Sequence, residues 1–228
     1  MIKDACDLNS CFLCTNCITE WKELIALKKK TISVKKGELI FAEGDVVTGI
    51  YFINSGAVKV HKLWADKKEL IIRFAAKGNM IGHRGVATGN AYPVSATALT
   101  NTSLCFIDSN FLETTLKADP ALTYKFMQFY LAELQKAELR MRNLALMDIK
   151  GRIAGTLTEL QDVFGKESNG YITVPVTRQD IASYAGTTYE TVFKYLKSLE
   201  RVKIIHSIGK SIRINDYKKL AAIAKSTG

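Results

Sequence analysis

The chain has 228 residues and is 47% apolar, enough for a packed core and too hydrophobic for a disordered chain. Its formal net charge of +10 favours a polyanionic partner, nucleic acid before anionic membrane, unless it marks only a basic soluble protein. No window approaches the roughly 18 unbroken apolar residues of a membrane span, and the first residues lack the basic-then-apolar order of a secretory signal. A cytoplasmic protein with reduced thiols is therefore expected.

The N-terminal stretch carries Cys6, Cys11, Cys14 and Cys17. A short helical pattern follows, with Trp21, Leu24, Ile25 and Leu27 on one side and Lys28 to Lys30 at its end, where cations suit the helix dipole. From Thr31 to about Ile107 the texture becomes short β-branched or aromatic runs separated by Gly, Asn and Asp, which predicts an antiparallel sandwich or barrel. Gly37, Gly44, Gly56, Gly78 and Gly82 stand at its joints.

Asp119 and Pro120 open a long helix expected to reach about Ile149. Met127, Tyr130, Leu134, Ala137, Met141 and Leu144 recur at three- and four-residue steps, a seam suited to a second helix. The competing reading is an amphipathic helix lying on its own domain, but its length favours a partner. Gly151 is a candidate hinge, followed by a third helix and the strand-like "YITVPV".

The stretch 176–214 is the most informative. Thr177 is a natural N-cap with Asp180 three residues on, Ile181, Ala182 and Ala185 form a small apolar face, and Gly186 supplies a turn. Thr187 or Thr188 caps a second helix with Val192, Leu196 and Leu199 inward. This is a helix-turn-helix pattern, with a solvated helical hairpin as its bland competitor. Thr188, Tyr189, Glu190, Phe193 and Lys194 then face outward; Glu190 suits cytosine N4, and Lys194 suits guanine or phosphate. Thr177, Arg178, Thr188 and Thr191 suit phosphate contacts. "KIIHSIGKSIRI" reads as a wing with Gly209 in its turn and Lys203, Lys210 and Arg213 adding charge. His61, His83 and His206 are scattered without partner carboxylates, so no enzyme is expected.

These residues, with "NLALMDIKGRIAGTL" and "KKGELIFAEGDVVTGIYFINSGAVKV", resemble the Crp/Fnr superfamily of bacterial regulators over nearly the whole chain. The resemblance implies an α+β fold: a cyclic-nucleotide-binding-like β-roll (a double-stranded jelly roll), a long dimerisation helix and a C-terminal winged helix-turn-helix. The boundaries expected are 1–118, 119–149 and 150–228. It implies a cytoplasmic homodimer that binds a pseudo-palindromic operator in double-stranded DNA, works with RNA polymerase and answers a small-molecule, redox or oxygen signal. A ligand-binding module whose C-terminal domain makes protein contacts is the alternative. The family often places an Arg–Glu pair on the reading helix and a basic residue four positions beyond the Glu. Glu190 matches, Lys194 keeps the charge without the planar fork of Arg, and Tyr189 departs.

The effector pocket implied by the resemblance is Gly82, His83, Arg84, Val94 and Ser95. His83 stands where nucleotide-binding members carry Glu, and Val94-Ser95 where they carry Arg-Ser. Ala137 and Glu138 replace hydroxyls on the long helix, and Arg84 is placed to substitute for the missing arginine from the neighbouring position. Cyclic AMP is therefore not the expected effector, and its identity is left open. The oxygen-sensing members hold a [4Fe–4S] cluster on three N-terminal cysteines and one in the roll. Cys11, Cys14, Cys17 and Cys105 lie in those regions, with tighter N-terminal spacing than the family's. Zinc, a thiol switch or plain core cysteines are the other readings of these four.

Overall fold

The computed structural model describes residues 11–64, 68–86 and 91–225; Cys6 lies outside them. The chain forms two units, one holding the described residues through Lys62 together with Ala75–Gln135, the other holding Leu63–Phe74 together with the described residues from Lys136.

In chain order the described residues first form two helices, α1 (Phe12–Asn16) and α2 (Thr19–Lys28). The strands that follow are β1 (Lys30–Val34), β2 (Leu39–Phe41), β3 (Gly49–Ser55), β4 (Ala57–Trp64), β5 (Lys68–Ala76), β6 (Met80–Ile81), β7 (Ser95–Ala98) and β8 (Thr102–Asp108), with the short α3 (His83–Val86) between β6 and β7. They make two four-stranded sheets, in the orders β1-β8-β3-β6 and β2-β7-β4-β5. Every register recorded between them is antiparallel, as the alternating short runs predict. Phe41 of one sheet stacks on Tyr51 of the other at 5.6 Å and on Tyr92 at 4.2 Å, so an aromatic pile fills part of the roll. At Gly56, where φ is +94°, an added Cβ would meet Asn101 O at 2.7 Å, so the β3–β4 turn accepts no side chain.

α4 (Ser109–Ala118) is N-capped by Asp108, whose carboxylate accepts from Asn110 N and Phe111 N. The buried Asp119 then ties two elements together: one oxygen accepts from Leu122 N at 2.9 Å in the first turn of α5 (Pro120–Leu146), the other from Ile18 N at 3.0 Å. On α2 the expected apolar side is realised at Ile25, which is buried, and at the half-buried Trp21, whose ring lies 6.2 Å from that of Phe111; Leu24 and Leu27 are exposed.

In the second unit α5 stops at Leu146, short of the expected Ile149. Asp148 N-caps α6 (Ile149–Phe164), accepting from Gly151 N at 2.6 Å, and a carboxylate bound to its own downstream N–H starts a new helix there. The break therefore precedes Gly151. That residue lies inside α6, where a Cβ would crowd Met147 Cγ and Asp148 Oδ1 at 2.9 Å. Next come α7 (Arg178–Ala185), α8 (Tyr189–Arg201), β9 (Ile205–Ile208), β10 (Ser211–Ile214) and α9 (Tyr217–Ile223). The strand-like 171–176 makes only isolated bridges, Lys166 with Ile172 and Tyr171 with Arg213. Ile153, Leu157, Ile181, Val192, Leu196 and Leu220 form this unit's core; each such side chain contributes about 1.5–3 kcal/mol. Phe74 packs on Tyr184 at 4.9 Å and edge-on to Phe164 at 5.8 Å.

Two arginines hold backbone ends together. Arg140 Nη2 donates to Ile71 O and Tyr184 O, both at 2.7 Å, with its guanidinium 3.7 Å over the Tyr184 ring. Burial, then the nearby Glu159 carboxylate, push the Tyr184 hydroxyl far above its ordinary pKa. Arg152 donates to Met147 O at 2.8 Å and Ala185 O at 2.8 Å, with longer contacts to Leu144 O and Gly186 O. A cation at carbonyls left unpaired by two helix ends satisfies both their hydrogen bonding and their dipoles.

Candidate nucleic-acid interface

Local sequence fixes the two-helix element. Thr177 and Asp180 form a full capping box at the start of α7: Thr177 Oγ1 accepts from Asp180 N at 3.0 Å, and Asp180 Oδ2 accepts from Thr177 N at 3.2 Å and from the Thr177 hydroxyl. Gly186 ends α7 in the left-handed region at φ +63°. Thr188, rather than Thr187, caps α8; its Oγ1 accepts from Thr191 N at 3.2 Å and lies 3.0 Å from Thr191 Oγ1. Val192, Leu196 and Leu199 are buried, so the opposite face of α8 is outward.

On that outward face Thr188, Tyr189, Glu190, Phe193 and Lys194 are exposed, and Thr191 is half-buried. The rings of Tyr189 and Phe193 stack at 6.4 Å with 15° between their planes. Arg178, half-buried beside the half-buried Thr177, places its guanidinium 5.8 Å from the Phe193 ring centre and donates from Nη1 to Gly209 O at 3.1 Å. β9 and β10 pair antiparallel as a two-stranded wing. Gly209 and the exposed Lys210 make its turn, with Gly209 at φ +58°. Glu200 ties the wing to α8: Oε2 accepts from Lys197 Nζ at 2.8 Å, and Oε1 from Ser207 N at 3.1 Å and the Ser207 hydroxyl. Those bonds, from Lys197 first and Ser207 next, hold its pKa below the ordinary carboxyl value. A short helix presenting polar, aromatic and basic side chains beside a basic wing can enter a major groove while the wing meets phosphates.

On α5 the apolar side chains left exposed are Tyr124, Met127, Leu131, Leu134, Leu139, Met141 and Leu146. Of the expected seam, Met127, Leu134, Ala137 and Met141 are exposed, while Tyr130 and Leu144 are half-buried. The Tyr130 hydroxyl donates to His83 O at 2.9 Å, and Leu144 Cδ2 lies 3.0 Å from where a Cβ on Gly186 would stand. Positions 124, 127, 131, 134 and 141 keep the three–four spacing on the open side. Tyr124 and Leu131, also exposed, share this spacing but stand outside the expected seam, because only packing against the roll fixes the phase of the period.

Around the expected effector pocket, His83 is buried and its ring meets Phe129 and Tyr130 edge-on at 5.1 and 5.7 Å. Tyr92 lies against the turn that carries Arg84, 3.2 Å from a Cβ built on Gly82 and 3.1 Å from one on Gly85. Val94 and Ser95 are buried, and Ser95 Oγ accepts from Glu43 N at 2.9 Å. Cys11, Cys14, Cys17 and Cys105 are all buried in one hydrophobic cluster with Leu13, Met80 and Phe126. Burial is the main cause that raises the Cys17 pKa. Four soft donors in one core fit a thiophilic metal or an iron–sulfur group by chemistry. Among the described residues, however, no three His, Cys, Asp or Glu side chains are placed to grip one ion.

Two family models match: a cyclic nucleotide-binding domain over residues 31–119 and a Crp-like helix-turn-helix domain over 151–223. The chain is 32% identical over 203 residues to the anaerobic regulatory protein of Bacillus subtilis, covering 88% of this chain and 84% of that one. It is 26% identical over 196 residues to a CRP-like cAMP-activated global transcriptional regulator of Mycobacterium tuberculosis, covering 85% and 88%. Among solved structures, FixK2 of Bradyrhizobium japonicum superposes with a TM-score of 0.78 at 26% identity, covering 88% of this chain and 99% of that one. Among the described residues no helix is long and apolar enough to cross a membrane.

Proposed function

The chain belongs to the Crp/Fnr family of transcription regulators, and from that premise we propose how it works. It is a cytoplasmic homodimer, paired along the open stripe of α5, that sets two copies of α8 into successive major grooves of a pseudo-palindromic operator. Residues 1–118 receive the signal, 119–149 carry the dimer contact and 150–228 bind DNA. The protein acts on transcription through contacts with RNA polymerase and has no catalytic role. Glu190 and Lys194 meet base edges, while Thr177, Arg178, Thr188, Thr191 and Lys210 meet the backbone. The observation that carries this reading is the outward face of α8, closed behind by Val192, Leu196 and Leu199. Selection from random duplexes should enrich a palindrome with half-site centres about 34–36 Å apart, bound less tightly as salt rises. Lys194→Glu should abolish binding while leaving the melting temperature unchanged; undiminished binding by that folded variant overturns the reading.

Cyclic AMP, which activates the mycobacterial relative by name, is not the effector in this proposal. A buried phosphate lacks its bidentate arginine, since Val94 stands at that position. A second reading is favoured by the single core shared by the four thiols. Here Cys11, Cys14, Cys17 and Cys105 are the donors for an iron–sulfur cluster, which would supply sensitivity to oxygen or redox state. Protein purified without oxygen should then contain iron and sulfide, and Cys105→Ser should lose both. Metal-free, colourless protein from that preparation rejects it.

A further inference from the structure

The aromatic pair on α8 has no explanation in the core. Val192, Leu196 and Leu199 close the inner face, whereas Tyr189 and Phe193 stand 44% and 42% exposed. Their spacing of four residues puts them one above the other on the helix, and Glu190 and Lys194 form a second row about 100° around the axis. An apolar stripe thus runs beside a charged one.

The stripe is braced. Its two rings stack at 6.4 Å, and the Arg178 guanidinium, held by Gly209 O, lies 5.8 Å from the Phe193 ring centre. Two exposed rings held in this way are a prepared contact surface. The cations beside it, Arg178, Lys194 and Lys197, match a polyanion. In the major groove of a duplex the apolar feature is the 5-methyl group of thymine. Phe193 has no polar side-chain atom, so it can recognise a base edge only through apolar contact.

We propose that Tyr189 and Phe193 read thymine 5-methyl groups, so that operator choice depends on an apolar stripe laid beside the charged row of Glu190 and Lys194. The inference rests on the reading of α8 as the groove-facing helix. It adds a specificity term that the Glu–Lys row alone does not supply: half-sites carry thymines next to the base pair that Glu190 contacts.

The test uses the full-length protein and the duplex recovered by selection from random DNA. Each half-site thymine is replaced in turn by deoxyuridine, which lacks only the methyl group, and binding is followed by fluorescence anisotropy. Affinity should fall on the order of fourfold for each contacted methyl, the loss expected for uncovering one buried carbon. Phe193→Ser together with Tyr189→Ser should bind the thymine and deoxyuridine duplexes equally, with salt-dependent binding and melting temperature retained. Wild-type protein that binds both duplexes equally well at every position overturns this inference and leaves the groove reading standing. Wild-type protein that enriches no duplex overturns the groove reading, and this inference with it.

Discussion

Gly186 and Gly209 share a backbone conformation, φ +63° and +58°, but differ in surroundings. A Cβ at Gly209 meets nothing within 4 Å; one at Gly186 meets Leu144 Cδ2 at 3.0 Å. Left-handed backbone costs an L-residue roughly 1–2 kcal/mol. Gly209→Ala should therefore lose about that much stability in chemical denaturation, and Gly186→Ala at least as much, because Leu144 must also shift. An unchanged unfolding midpoint for Gly186→Ala would refute the strain argument. At this scale, what was legible in the sequence was local. The Thr177–Asp180 box and the Gly186 turn follow from residues three or four apart. Arg140 and Arg152 were not legible, since a guanidinium bound to carbonyls 33 or 69 positions away leaves no spacing signal.

Elements show the same division between period and phase. The three–four repeat on α5 was readable, but which side stays open depends on Tyr130 reaching His83 O. Leu134→Glu, a charge in the middle of that open stripe, should give a monomer by analytical ultracentrifugation, and the wild type a dimer. A dimeric variant would move the pairing surface elsewhere. The joint between α8 and the wing is instead electrostatic. Glu200 is held below its ordinary value by Lys197 and Ser207, so its contribution is present above about pH 4.5 and is lost as pH falls through the lowered value. The melting temperature of wild type should thus exceed that of Glu200→Gln at neutral pH, and the gap should close in acid. A gap independent of pH would assign the effect to packing. The strands of the roll were legible as a class, from turn residues and β-branched runs; their order in two sheets was not, because β1 pairs with β8 across more than 60 residues.

For the molecule as a whole, the boundaries expected near 118 and 149 follow texture along the chain, and the compact units are a separate grouping that divides α5 after Gln135 and places Leu63–Phe74 with the C-terminal part. Texture follows neighbours along the chain, and this grouping is made by side chains far apart in it: Phe74 against Tyr184 and Phe164, Ile71 O against Arg140. The practical result concerns excision. A protein begun at α6 to study the reading head alone would carry an empty aromatic notch where Phe74 sits and would lack the guanidinium that sits on Tyr184. Such a piece should be sticky and quick to precipitate. Linking residues 68–74 back onto it, together with the last turns of α5, should restore solubility.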